Sequence, residues 1–157
     1  MRDLEIILVT TDEQMREALA VRRRVFVEEQ QVPEDEEIDA NDALDATACR
    51  HILVRLDGVA VATGRLLLYE ADGRVHIGRV AVLAEHRRRG IGRALMRALH
   101  DLARFRNAKS VTLAAQLQAL GFYERLGYVA RGDVFLDAGI EHRWMDAELG
   151  PNVATTL

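Results

Sequence analysis

The sequence predicts an α/β protein built on a mixed, mostly antiparallel sheet of about seven strands flanked by about four helices. Three observations carry this. Between Cys49 and Leu83, apolar and polar residues alternate in runs separated by short Gly-containing turns, the pattern of antiparallel strands with short links. A long amphipathic stretch after Leu83 lies between two apolar runs, and one strand–helix–strand crossover makes those two strands parallel. A last pair of runs flanks Asp137-Ala138-Gly139, a hairpin turn.

Taken in order, Leu4 to Val9 reads as the first strand. Thr10 or Thr11 then caps a helix, with Asp12 and Glu13 complementing its dipole. The helical pattern continues through Met15, Leu19, Val21, Val25 and Phe26, and Ala20-Val21-Arg22 is where it divides into two pieces. Pro33 ends it. The stretch Glu28 to Asp45 holds nine carboxylates and neither Lys nor Arg. It reads either as a solvated acidic loop or as a wall that draws in a cationic substrate such as an amine. Asp35, Glu37, Asp39 and Asn41 alternate like the start of a calcium loop, but Ala40 and Ala46 stand where that loop needs glycine and its last ligand.

Strands at Cys49–Leu56, Val59–Tyr69 and Val75–Leu83 come next, joined at Asp57-Gly58 and at Ala71-Asp72-Gly73. The next helix runs to about Arg106 and is expected to bury Ile91, Leu95, Ala98, Leu102 and Phe105. Ser110–Ala115 is a short buried strand, Leu117–Leu126 a short helix stopped by Gly127, and Tyr128–Leu136 with Ile140–Ala147 the closing hairpin. Residues 1–149 read as one domain and 150–157 as a loose tail.

Bulk properties narrow the function classes. Of 157 residues, 49% are hydrophobic and 29% charged, a globular composition. The single Cys49 excludes an internal disulfide and reads as a small half-buried residue. The apolar run Ile6–Val9 is too short for a signal peptide, and no stretch is long enough for a membrane span, so a cytoplasmic location without a membrane partner is expected. A net charge of −4 argues against a nucleic-acid partner. His51, His86, His100 and His142 show no metal-ligand spacing, so no metal is expected.

One stretch is explained poorly by local stability, His86-Arg87-Arg88-Arg89-Gly90-Ile91-Gly92-Arg93. Gly90 and Gly92 fall at the start of the amphipathic helix, where each costs roughly 1 kcal/mol against alanine. The arginines add positive charge to the end where the helix dipole is already positive. Both oddities vanish if an anion docks there, because glycines let it approach the backbone and arginines suit phosphate. A P-loop needs Lys-Ser or Lys-Thr after its second glycine, and Arg93-Ala94 stands there instead. A dinucleotide fingerprint needs three glycines and a ribose-binding acid.

The remaining pattern, Arg-x-x-Gly-x-Gly after a strand, resembles the coenzyme-A pyrophosphate loop of the GCN5-related N-acetyltransferase (GNAT) superfamily. Gly121-Phe122-Tyr123-Glu124-Arg125-Leu126-Gly127-Tyr128 resembles that superfamily's second signature, and the element order is also the one it shows. Val25-Phe26-Val27-Glu28-Glu29-Gln30-Gln31-Val32-Pro33 and Ala115-Gln116 are similar to a narrower bacterial group, the ElaA-like or YjcF-like acetyltransferases.

The resemblance implies an enzyme that moves an acetyl group from acetyl-CoA to a primary amine by direct attack. The acceptor is expected to be a small cationic molecule. It implies that Arg87, Arg88, Arg89, Gly90, Ile91, Gly92 and Arg93 hold the pyrophosphate, and that Val80, Ala81 and Val82 pair with the pantetheine arm through their backbone. Gln116 and Phe122 would lie beside the same molecule, and Glu28, Glu29 and Gln30 beside the acceptor. Tyr123 would protonate the departing thiolate, since a phenol of pKa about 10 keeps its proton at neutral pH. The base is open between His76, which shares strand parity with Val80, Glu29 or Glu28 near the end of the early helix, and water. Two other classes stay open on the residues alone, a non-catalytic acyl-CoA-binding module and a basic-helix nucleic-acid binder. The last hairpin offers an edge for pairing with a second copy.

Overall fold

The computed structural model describes residues 3–68 and 74–150. The end of the third strand at Tyr69, the turn at Ala71-Asp72-Gly73 and the tail beyond Gly150 lie outside the described residues. The sheet has seven strands, β1 (Leu4–Leu8), β2 (Cys49–Leu56), β3 (Val59–Leu67), β4 (Arg74–Val82), β5 (Ser110–Gln116), β6 (Val129–Asp137) and β7 (Ile140–Glu148), in the order β1-β2-β3-β4-β5-β7-β6. All neighbours are antiparallel except β4 and β5, which are parallel as the crossover requires. Four α-helices accompany it: α1 (Asp12–Arg22), α2 (Glu34–Glu37), α3 (Ile91–Phe105) and α4 (Leu120–Arg125). No helix among the described residues is long and apolar enough to cross a membrane.

α1 begins at Thr11, whose hydroxyl accepts from the Gln14 amide while the Gln14 side chain accepts from the Thr11 amide, a reciprocal cap. At Arg23 the helix widens into a π-helical segment, Arg23–Glu29, closed by the Gln30 amide donating to the Val25 carbonyl. This is the division expected near Arg22. The tight turns form where their sequence allows positive φ, at Asp57-Gly58 and Ala138-Gly139.

The main core lies between the sheet and α3, which buries Ile91, Leu95, Met96, Leu99 and Ala103. Each large side chain among them contributes about 1.5–3 kcal/mol of burial. The expected face was set one position off: Ala98 and Leu102 are only partly buried, and Phe105, at the last turn, is 76% exposed. The helix packs so closely that a Cβ on Gly64 of β3 would come within 2.9 Å of Leu99 Cδ1.

On the other face α1 and the π-helical segment cover the sheet, with Val21 and Val25 against Ala81 and Leu83. Arg22, 1% exposed, is sunk there among carboxylates. Its Nε donates to Glu37 at 2.7 Å, its Nη1 to Asp42 at 2.6 Å and its Nη2 to the Glu37 carbonyl at 2.8 Å. Arg65 of β3 donates to Asp39 and to the same Asp42, and Arg79 of β4 to the Glu37 carbonyl. Asp39 is held down at about 2, chiefly by the Arg65 hydrogen bonds. Cys49 is buried beside this cluster, and burial pushes its thiol up to about 11, so it is unreactive at neutral pH.

Candidate active site

The sheet comes apart in its middle. β4 and β5 are paired only over Arg74–His76 and Ser110–Thr112, yet β4 continues to Val82 and β5 to Gln116. Beyond that point the two parallel strands diverge into a wedge. β4 still pairs with β3, and β5 with β7 along its whole length, so each strand keeps one bonded edge and turns the other to the gap. Val80, Ala81 and Val82 lie on β4 at the open end, where the resemblance puts backbone pairing with a pantetheine arm.

A bulge shapes this end of β4. Arg79 has φ +50°, and the β3–β4 register slips between Thr63 and Arg65. The extra residue reverses the parity of the strand beyond it. Val75 and Ile77 face the α3 core, and so do Val80 and Val82, whereas Ala81 faces α1. His76 therefore does not share a face with Val80, which corrects the parity argument for it as a base. It sits at the apex of the wedge, opposite Thr112, with its ring edge-on to Trp144 at 5.8 Å.

At the mouth of the wedge stands the start of α3. Its N-cap is Gly90, at φ +81°, and no side chain caps it, so its first amides keep their donors for a ligand. Arg88, Arg89 and Arg93 are exposed and form no ion pair among the described residues. This arrangement fits a pyrophosphate. The two glycines, however, also answer to the fold. Gly90 needs its left-handed conformation, and a Cβ on Gly92 would lie 3.3 Å from the Phe122 ring. Ile91 points inward and is buried. Gly92, Phe122 and Val82 thus meet at the inner end of the cradle.

Arg87 behaves differently from its neighbours. Its Nε donates to the Val82 carbonyl at 2.9 Å, and its two Nη donate to Glu29 at 2.7 and 2.8 Å. Glu29, an expected base, is thereby held below the usual carboxylate range by the Arg87 hydrogen bonds, which makes it a weaker proton acceptor. The next residue, Gln30, accepts from Gln116 Nε2 at 2.8 Å, and Gln116 accepts from Gln118. Gln116 stands at the N-cap of the following turn, but its side chain makes no capping hydrogen bond.

The acidic stretch is largely matched. Glu28 and Glu34 lie against Arg23, Glu29 against Arg87, and Glu37, Asp39 and Asp42 belong to the buried cluster. Asp35, Glu36 and Asp45 are left exposed without an ion pair among the described residues. Three of the nine carboxylates, Glu37, Asp39 and Asp42, are thus anchors bonded to buried arginines, while the other six stay exposed. Sequence reasoning missed this because the partners Arg22, Arg65 and Arg79 lie on other elements.

Tyr123, on α4 immediately beyond β5, is 8% exposed and packs edge-on against Phe122 (5.0 Å) and Tyr128 (5.6 Å). Burial pushes its phenol up to about 12. Tyr128, expected as strand packing, bonds His100 through its hydroxyl at 2.6 Å, and burial with a smaller contribution from Arg104 pushes His100 down to about 4.

Comparison with known proteins bears on this geometry. The family model described as "Acetyltransferase (GNAT) family" matches residues 13–128. The uncharacterized N-acetyltransferase YjcF of Bacillus subtilis is 37% identical over 143 residues, covering 90% of this chain and 98% of its own. Among solved structures, Escherichia coli ElaA is 30% identical with a TM-score of 0.80, over 94% of this chain and all (100%) of its own. An acyl-CoA N-acyltransferase from Pseudomonas aeruginosa is 32% identical with a TM-score of 0.77, over 92% and 99%.

Proposed function

The chain belongs to the GNAT family of acetyltransferases, and on that premise we propose that it transfers an acetyl group from acetyl-CoA to a primary amine by direct attack. The observation that carries this reading is the opened β4–β5 wedge with an uncapped, arginine-flanked helix start at its mouth.

Bound there, the donor supplies an activated thioester carbonyl. The α3 amides with Arg87, Arg88, Arg89 and Arg93 hold its phosphates. The free edge of β4 at Val80–Val82 aligns the arm and offers a backbone N–H to the developing oxyanion. Tyr123 gives its phenolic proton to the departing sulfur. A phenol keeps that proton at neutral pH even without the rise that burial imposes.

The amine approaches from the α1 side, past Gln30 and Gln116. Glu29 is tied to Arg87, and His76 stands at the apex of the wedge. We assign proton removal to water, with His76 as the side chain that would relay it. The acceptor is a primary amine recognised without a strong field of free carboxylates.

The test is thiol release from acetyl-CoA over a panel of amines. Turnover with at least one amine is expected, and Tyr123→Phe should lower kcat roughly 10²-fold while leaving the CoA dissociation constant unchanged. Tight CoA binding without turnover on any amine would make the protein an acyl-CoA-binding module instead. Full kcat in Tyr123→Phe would remove the acid role.

A further inference from the structure

A continuous chain of polar contacts spans the open end of the wedge. It starts at the Val82 carbonyl, the last residue of β4, and passes through the Arg87 guanidinium to Glu29. It continues through the peptide to Gln30 and across to Gln116, the last residue of β5. Two consecutive residues thus tie together the ends of two strands that have stopped bonding each other. The π-helical segment makes this reach, since its last turn closes from Gln30 to Val25 and the next contact from Val32 to Phe26.

Arg87 is also part of the phosphate cradle. A guanidinium presents the same Nη edge to a carboxylate and to a phosphate, and in each case the pairing is bidentate. Glu29 occupies that edge here. The pair is 39% and 40% exposed, and exposed ion pairs are held weakly. A doubly charged group docking at the α3 amides, with Arg88, Arg89 and Arg93 beside it, meets little opposition in drawing Arg87 away.

We propose that Glu29 and Gln30 form a strap across the wedge that the donor unfastens: its pyrophosphate competes with Glu29 for Arg87, so that filling the cradle loosens the bar on the acceptor side. Glu29 is then a positioning residue, acting through Arg87 before any part it takes beside the amine. The inference rests on the acetyl-CoA reading above, and the sign of one mutational effect separates it from a merely structural role.

The experiment is calorimetric titration of CoA into the wild type and Glu29→Gln. If Glu29 competes, its neutral isostere binds CoA more tightly, roughly two- to fivefold, and the gain disappears in an Arg87→Ala background. If Glu29 instead orients Arg87 for phosphate, Glu29→Gln binds more weakly or unchanged, and the strap is overturned. Hydrogen exchange gives a second readout. On adding CoA to the wild type, the Gln30 and Val32 amides should exchange faster while those of α1 hold steady. Protection or no change at these two amides also overturns the proposal. Wild type that fails to bind CoA at all would instead sink the acetyl-CoA reading.

Discussion

Arginines occur in this molecule in two opposite settings. Arg22 and Arg65 are buried and paired with Glu37, Asp39 and Asp42, every Arg22 nitrogen and both Nη of Arg65 finding an acceptor while the Arg65 Nε finds none among the described residues. Arg88, Arg89 and Arg93 stand exposed at the positive end of α3, without ion pairs among the described residues. The first set has been desolvated at great cost and holds the acidic segment to the sheet. The second holds nothing in the fold. The same side chain is structural where its partner is part of the protein, and under the proposed function it waits for a phosphate where the fold supplies no partner. Arg87 lies between the two, paired but exposed.

The comparison breaks first at Arg22. Arg22→Ala strips Glu37 and Asp42 of their shortest partner and leaves them buried with two arginines, Arg79 at 3.5 Å from Glu37 and Arg65 at 3.0 Å from Asp42, which should cost about 3 kcal/mol; urea unfolding measures it, and a loss under 1 kcal/mol would mean that these two arginines take over the site. At the other cluster, replacing both Arg88 and Arg89 with alanine should weaken CoA binding about tenfold, with a shallower salt dependence. Its melting temperature should stay within a degree or two of wild type. A large fall in stability there would show that these arginines also hold the fold.

Acid sharpens the contrast more gently. The Asp39 carboxyl sits at about 2 in the folded protein, below its unfolded value near 4. Its contribution is therefore complete above pH 4 and lost as pH falls toward 2. Asp39→Asn should flatten that part of a melting-temperature profile. His100 works the same way in a higher window. Its folded value of about 4 lies below the unfolded 6.5, so the unfolded chain takes up the proton first and stability declines from pH 6.5 to 4. His100→Gln should remove that slope.

Local pattern carried most of the architecture. The strand runs, the parallel crossover, the Asp57-Gly58 turn and the stop at Gly127 all depend on residues near one another in the chain. The helix start at Arg87–Gly92 was legible because its residues contradict the stability of the helix they begin. The features that escaped were set by distance or by a single irregular residue. One non-glycine at positive φ, Arg79, inverted the parity of the end of β4 and with it the placement of His76. Glu37, Asp39 and Asp42 read like the exposed acids around them because their arginine partners come from α1, β3 and β4. Gly92 looked like a concession to a ligand, yet a Cβ there would also crowd the ring of Phe122, far along the chain, at 3.3 Å. Gln30 and Gln116 were each picked out, but nothing in their spacing announces that they touch.

The raw edges of a sheet are ordinarily kept at its periphery and guarded by charge, proline or curvature. Here two of them lie at the centre, along β4 beyond His76 and β5 beyond Thr112. A guest lying between them repairs the fabric as much as it occupies a site. The molecule should therefore melt later when loaded, by an amount that grows with the logarithm of donor concentration, and between turnovers it is briefly the less finished version of itself.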